Sequence, residues 1–187
     1  LKEVTQRCET VSQAVTLAGR KLIVPDFLGN RAPFANPEAT AVIAGLTLKA
    51  DLDDLIATYI AGVTGIGYGL RQIIQAQAQH GVQPKTIVIS GGAGRSDAMK
   101  QLLADACGVP ILSPTSTEPV LLGAAMLGAV GAQHFATVSD AMKEMSSIES
   151  RFVPAGGAIA ELHAARFKAF EALQMADGLL QHAMPSE

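Results

Sequence analysis

Between residues 86 and 107 the hydrophobic pattern changes period, and a turn almost without side chains lies at the change. Ile87, Val88 and Ile89 are consecutive β-branched residues, a run that predicts a short strand covered on both faces. Gly91, Gly92, Ala93 and Gly94 follow, a stretch that tolerates positive φ and lets another group approach bare backbone. Ser96 suits a helix N-cap and Asp97 complements the first turn. Met99, Leu102, Leu103 and Ala106 then recur at helical spacing, and Gly108 and Pro110 end the helix.

The same reading applied to the rest of the chain predicts a helix over residues 1–20, with Val4, Cys8, Val11, Val15 and Ala18 on one face. Residues 23–37 read as a packed loop, because three prolines are interleaved with Phe27, Leu28 and Phe34. Residues 41–48 suggest a strand or a short bend. Asp51, Asp53 and Asp54 open a long helix that runs to about His80, and three carboxylates there suit the helix dipole better than a metal. Gly62, Gly65, Gly67 and Gly69 lie inside it, each costing up to ~1 kcal/mol relative to alanine, so close backbone contact with a neighbour is expected.

Residues 109–112 predict a second buried strand, and residues 113–119 a polar loop whose Pro119 starts another helix. That helix, residues 120–132, is small and apolar all round, the signature of burial on most faces. An amphipathic helix over 138–148, a break at 152–157 and a final helix over 158–180, with Leu162, Phe167, Phe170 and Leu173 inward, complete the chain. Strand, helix, strand in succession favours a parallel pair with a right-handed crossover. Residues 91–96 and 113–118 would then meet at the carboxyl ends of the strands, where open α/β sheets gather ligands.

Composition narrows the chemistry. The 187 residues are 49% hydrophobic, enough for one domain, 1–187, with residues 150–187 as a C-terminal helical extension. Net charge is −3 without a basic cluster, which argues against nucleic acid as a partner. The longest uncharged run, residues 55–70, falls short of the ~20 apolar residues a membrane span needs, and no signal peptide is visible. Cys8 and Cys107 offer neither a disulfide framework nor metal spacing, so a reducing cytoplasm is the expected setting. His80, His134, His163 and His182 are scattered and read as solvated or capping side chains. Arg31 suits either a phosphate or the carbonyls and a carboxylate of its own loop, and the loop-tying role is expected. The first residue is Leu1, which points to a fragment or a processed product.

The glycine turn sets bare backbone beside helix N-terminal amides, a place for an anionic or flat ligand. It is equally compatible with a tight connection that holds no ligand. No Gly-Lys-Ser/Thr follows, so it is not a Walker loop. Asp97 stands where a dinucleotide fingerprint needs its third glycine, which argues against a hydride- or methyl-transfer domain.

Taken together and in order, PDFLGNRAPFANP, AVIAGLTL with Asp54 and Leu55, SGGAGRSDAMKQLLADACGVPI, EPVLLGAAMLGAVGAQHF and SDAMKEM resemble the carboxyl-terminal half of an FGGY carbohydrate kinase, most closely the ribulokinase-like pentulose kinases. Thr58, Tyr59 and Ala61 depart from the family's second signature, and Pro119 stands where relatives more often carry alanine or serine.

The resemblance implies an α/β fold, a partial actin-like (ribonuclease-H-like) ATPase lobe that is helix-rich with a small parallel strand core. It places Gly91, Gly92 and Ala93 against the phosphate and ribose of an adenine nucleotide, and Ser96 near the adenine or its sugar. ATP and Mg²⁺ are the cofactors it implies for the full-length enzyme, and a pentulose or pentitol is the acceptor. Such enzymes are often homodimers. The catalytic aspartate, most sugar contacts and both phosphate hairpins belong to parts not seen in this sequence. No catalytic residue or metal ligand is therefore assigned in the chain, and alone it is expected to phosphorylate nothing. The rival reading is an actin-like module that holds nucleotide without chemistry.

Overall fold

The computed structural model describes residues 2–91 and 96–184, with the side chains of Lys2 and Thr5 left aside. In chain order the elements are α1 (Lys2–Gln6), a 3-10 helix (Val11–Ala18), β1 (Leu22–Val24), β2 (Val42–Ala44), α2 (Leu52–Gln79), β3 (Ile87–Val88), α3 (Asp97–Cys107), β4 (Ile111–Pro114), α4 (Pro119–Gly131), α5 (Val138–Met145), β5 (Ile148–Phe152) and α6 (Gly157–Ala183).

The 28 residues of α2 form the spine. Asp51 caps it by accepting a hydrogen bond from the Asp54 amide at 2.8 Å. Asp53 pairs with Arg7, and Asp54 with the buried Lys21 at 2.7 Å, so all three aspartates are engaged as cap or ion-pair partners. One side of α2 buries Ile56, Ile60 and Val63 against Val4, Ala14 and Ala18, and against Leu102 and Leu103 of α3. A second cluster places Tyr68 of α2 among Leu22, Val24, Ala106, Phe167 and Phe170, which brings α6 into the core.

Two of the four α2 glycines are contact points. A Cβ on Gly65 would lie 2.2 Å from the Ile23 carbonyl oxygen, and one on Gly67 2.5 Å from the Ala106 Cβ. Gly62 has only the tip of Ile23 near it, and Gly69 meets nothing within 4 Å, so the close approach expected for all four holds for Gly65 and Gly67.

The strands are short and mixed in direction. Ile87 and Val88 pair in parallel with Ile111 and Leu112, the crossover expected from the sequence, and α3 connects them. The other pairings are antiparallel, β1 with β2 and β4 with β5, so the core is not purely parallel. β1 falls where a loop was expected to begin. β5 occupies the end of the predicted 138–148 helix and the break that follows. Residues 1–20 do not form one helix; α1 stops at Gln6, a bend holds Cys8, and the second half is 3-10.

Three burial expectations are corrected. Val88 is 59% exposed, so the β3 run is covered on one face only. On α4 only Met126 is buried while Val120, Leu121 and Leu127 face outward, because α4 packs against α5 and no described element covers its other sides. His163 is 1% exposed rather than solvated or capping, with its Nδ1 3.0 Å from the Tyr68 hydroxyl. Burial lowers the His163 pKa to about 4. Arg166, one turn along α6, donates to the carbonyls of Gly19 (2.8 Å) and Lys21 (2.5 Å) and ties α6 to the start of β1. By contrast His80 and His182 do cap their helices, each with Nδ1 against the carbonyl oxygen four residues back. Arg31 is exposed and has no hydrogen-bond partner among the described residues. Among those residues no helix is long and apolar enough to cross a membrane.

Candidate functional site

Parallel pairing sends β3 and β4 out of the sheet at the same end, and the segments that follow them face one another there. Hydrogen bonds from Ile87 to Pro110 (2.9 Å) and from Ile89 to Leu112 (3.0 Å) set this register. Between the two segments opens a cleft of about 680 Å³, walled by residues 89–91 on one side and 113–120 on the other, with Asp97, Lys100 and Glu149 at its base and edge. The 113–120 wall is held from behind. Thr115 donates its amide to the Ser147 carbonyl at 3.1 Å, and their hydroxyls lie 2.9 Å apart.

Gly91 lies on the cleft wall with φ of +80°, the left-handed region that disfavours side chains, and a Cβ there would enter open space. Ser96 sits just behind the wall as the N-cap of α3, its Oγ accepting from the Met99 amide at 3.3 Å. It does not line the cleft. Gly92 and Ala93 lie outside the described residues. Of the expected contacts, the structure therefore brings Gly91 to the cleft and keeps Ser96 one step back, where it orients the amides at the start of α3.

Lys100 was not anticipated. It is 4% exposed, and its Nζ sits 2.9 Å from Asp97 Oδ1, donates to Ser113 Oγ at 3.2 Å, and lies 4.9 Å from the centre of the Phe152 ring. One ammonium thus joins the first turn of α3 to β4 and β5 at the base of the cleft. Its long stem is covered by apolar neighbours while its head keeps polar partners. The signal in the sequence is the Asp97–Lys100 spacing, i,i+3 on one helical face beside Met99.

Chemically the cleft offers bare backbone at Gly91, the positive end of α3, hydroxyls from Ser113, Thr115, Ser116 and Thr117, and one buried cation. That set suits the sugar and phosphates of a nucleotide more than it suits covalent chemistry, for no described nucleophile and base face each other in it.

Comparison with known proteins shows the family and the fold. Residues 3–132 match the family described as "FGGY family of carbohydrate kinases, C-terminal domain". The chain is 40% identical over 124 residues to the FGGY carbohydrate kinase domain-containing protein of Homo sapiens, covering 66% of this chain and 22% of that one. It is 33% identical over 126 residues to D-ribulokinase YDR109C of Saccharomyces cerevisiae, covering 67% and 18% respectively. It thus spans only about a fifth of the length of these relatives. Among solved structures, Plasmodium falciparum glycerol kinase with ADP superposes with a TM-score of 0.67 at 20% identity, over 91% of this chain and 32% of that one. The shared fold is the actin-like ATPase lobe, helix-rich with small mixed sheets.

Proposed function

The chain belongs to the FGGY family of carbohydrate kinases, and from that premise we propose that it is the nucleotide side of an enzyme moving the γ-phosphate of ATP to a pentulose or pentitol hydroxyl. The observation that carries the nucleotide assignment is the cleft at the ends of β3 and β4, with Gly91 at positive φ on its wall. Glycerol kinase and D-ribulokinase are both among the chain's relatives, at 35% and 33% identity, so the pentulose or pentitol acceptor rests on the sequence motifs rather than on these likenesses. In this reading Gly91 and its neighbours lie along the nucleotide, Ser96 orients the α3 amides, and Lys100 holds the base of the cleft rigid. Phosphoryl transfer relies on positioning and charge stabilisation, which a rigid wall supplies.

Mg²⁺ would neutralise phosphate charge in such an enzyme. Among the described residues no three metal-ligating side chains cluster, so this chain does not fit as a protein cage for the ion, and no step is assigned through it. The general base and the acceptor contacts reside elsewhere in the protein, in a cytoplasmic enzyme that associates as a homodimer without nucleic-acid or membrane partners.

The test is calorimetric titration with ADP. Gly91→Val is expected to weaken binding at least about tenfold, since a branched side chain is strained at that φ and would shift the backbone that lines the cleft. Unchanged affinity would remove Gly91 from the site. A second expectation separates the kinase from a module that only holds nucleotide. Incubated with ATP, Mg²⁺ and a panel of pentuloses and pentitols, the chain alone should yield no sugar phosphate, whereas the whole protein should. A whole protein that binds ADP and phosphorylates nothing would favour the binding module.

A further inference from the structure

α3 begins beside the nucleotide cleft, where Asp97 and Lys100 line it, and ends beside a separate cavity of about 380 Å³, which Asp105 and Cys107 line. Arg71 reaches this cavity from α2, His163 from α6, and Pro154 from the segment that joins β5 to α6. The two spaces share no lining residue.

Two buried polar atoms of the cavity wall are unpaired. Asp105 is 5% exposed; its Oδ1 accepts from the Ala155 amide at 2.7 Å and from Gln101 Nε2 at 2.8 Å, while its Oδ2 accepts nothing. His163, more deeply buried, uses Nδ1 on the Tyr68 hydroxyl and leaves Nε2 without a partner. Native interiors rarely leave such atoms unmatched, because each has given up water for nothing. Arg71 is a third unmatched group. Its guanidinium stacks 4.4 Å from the centre of the Phe167 ring and has no hydrogen-bond acceptor among the described residues. Arg71 and Asp105 thus bring opposite charges to one wall, and no ion pair joins them.

We propose that this cavity binds a free amino acid with an aliphatic side chain, its ammonium group on Asp105 Oδ2 and its carboxylate on Arg71. A wall with an anion and a cation that do not pair with each other is complementary to a molecule carrying both charges. A guanidinium edge is suited to a carboxylate in particular. His163 joins Arg71 there: the donor-only guanidinium of Arg166 faces the Tyr68 hydroxyl, so that hydroxyl donates to Nδ1 and Nε2 presents its N–H. Ile74, Pro154 and Ala164 supply the apolar surface for the side chain. The volume lies in the range of small-molecule sites. A metal ion is disfavoured, because Arg71 opposes a cation and the Cys107 thiol keeps its proton in hydrogen bonds to the carbonyls of Ala104 (3.6 Å) and Val109 (3.4 Å). A simple anion would meet Asp105 unscreened.

Calorimetric titration of the whole protein with leucine, isocaproate and leucinol tests the site. Isocaproate lacks the ammonium group and leucinol lacks the carboxylate. Leucine is expected to bind saturably, and each analogue at least about tenfold more weakly. Arg71→Met keeps an unbranched stem against Phe167 and removes the charge. Asp105→Asn keeps an acceptor for the Ala155 amide and replaces the unpaired oxygen with a donor. Each change is expected to weaken leucine binding about tenfold or more. No leucine binding by the unmodified protein overturns the proposal. So does isocaproate or leucinol binding as tightly as leucine, or undiminished leucine affinity in Arg71→Met. The outcome is independent of the ADP titration, which reads the other end of α3.

Discussion

Gly65→Ala is expected to destabilise the protein by about 3 kcal/mol or more, while Gly69→Ala, one turn further along the same helix, is expected to stabilise it by up to about 1 kcal/mol. By intrinsic propensity both changes should help α2, since alanine is the better helix former. What separates them is what lies across from each Cα. At Gly65 the new methyl would lie 2.2 Å from the Ile23 carbonyl oxygen, with Pro25 Cδ at 3.6 Å. That oxygen belongs to β1 backbone, in a strand buried at all three positions, so it cannot swing aside as a side-chain tip would. Either β1 or α2 must move, and both clusters of the core share those elements. At Gly69 nothing lies within 4 Å. Denaturant unfolding of the two variants checks this. Equal effects of the same sign would mean that the contact between β1 and α2 is not the reason glycine stands at residue 65.

Lowering the pH from about 6.5 towards 4 is expected to cost up to about 3 kcal/mol of stability through His163 alone. The pKa is depressed to about 4 by burial, while the unfolded chain titrates near the ordinary value of 6.5. Between those values the unfolded state binds a proton that the folded state refuses. Stability is therefore fully present above pH 6.5, falls through the window and levels off below it. Asp105 nearby favours the charged ring, and Arg166 and Arg71 oppose it, but burial is the largest influence. His163→Gln, which keeps a polar partner for the Tyr68 hydroxyl, should flatten the stability profile between pH 6.5 and 4. A profile as steep as that of the unmodified protein would exclude His163 as its source. Asp177 adds a separate loss at lower pH. Burial works against its charge, but the Thr40 and Gln181 hydrogen bonds prevail and hold the carboxyl below its usual range, so its contribution disappears only as that lower pKa is crossed.

His163 also shows where reading along the chain stops. Its spacing of four and seven residues from Phe167 and Phe170 puts it on the inward face of α6, but its partner Tyr68 is 95 residues away and only the fold brings the two together. Lys100 is similar. The spacing to Asp97 was visible, but its burial between Ser113 and Phe152 depends on two strands that close over it. The hydrogen-bonded chain of Asp26, Gln174 and Gln72 could not be read at all, because its members come from three separate segments. Where α4 reads as a buried helix and lies largely exposed, the pattern described the preference of the side chains, and packing decided how much cover they receive.

From residue order alone came the α2 and α3 helices with the Ser96 cap and the acidic start of α2, the parallel β3–β4 pair, the glycine turn after β3 and the family motifs. Those features depend on contacts a few residues apart, on backbone preference and on period, all of which are written locally. Tertiary structure alone decided the mixed direction of the strands, the cover over Val88 and α4, which glycines touch a neighbour, and where polar side chains meet out of solvent. Each of those depends on which distant surfaces come together, and the free energy of burial and of buried hydrogen bonds is set by that meeting rather than by any one segment.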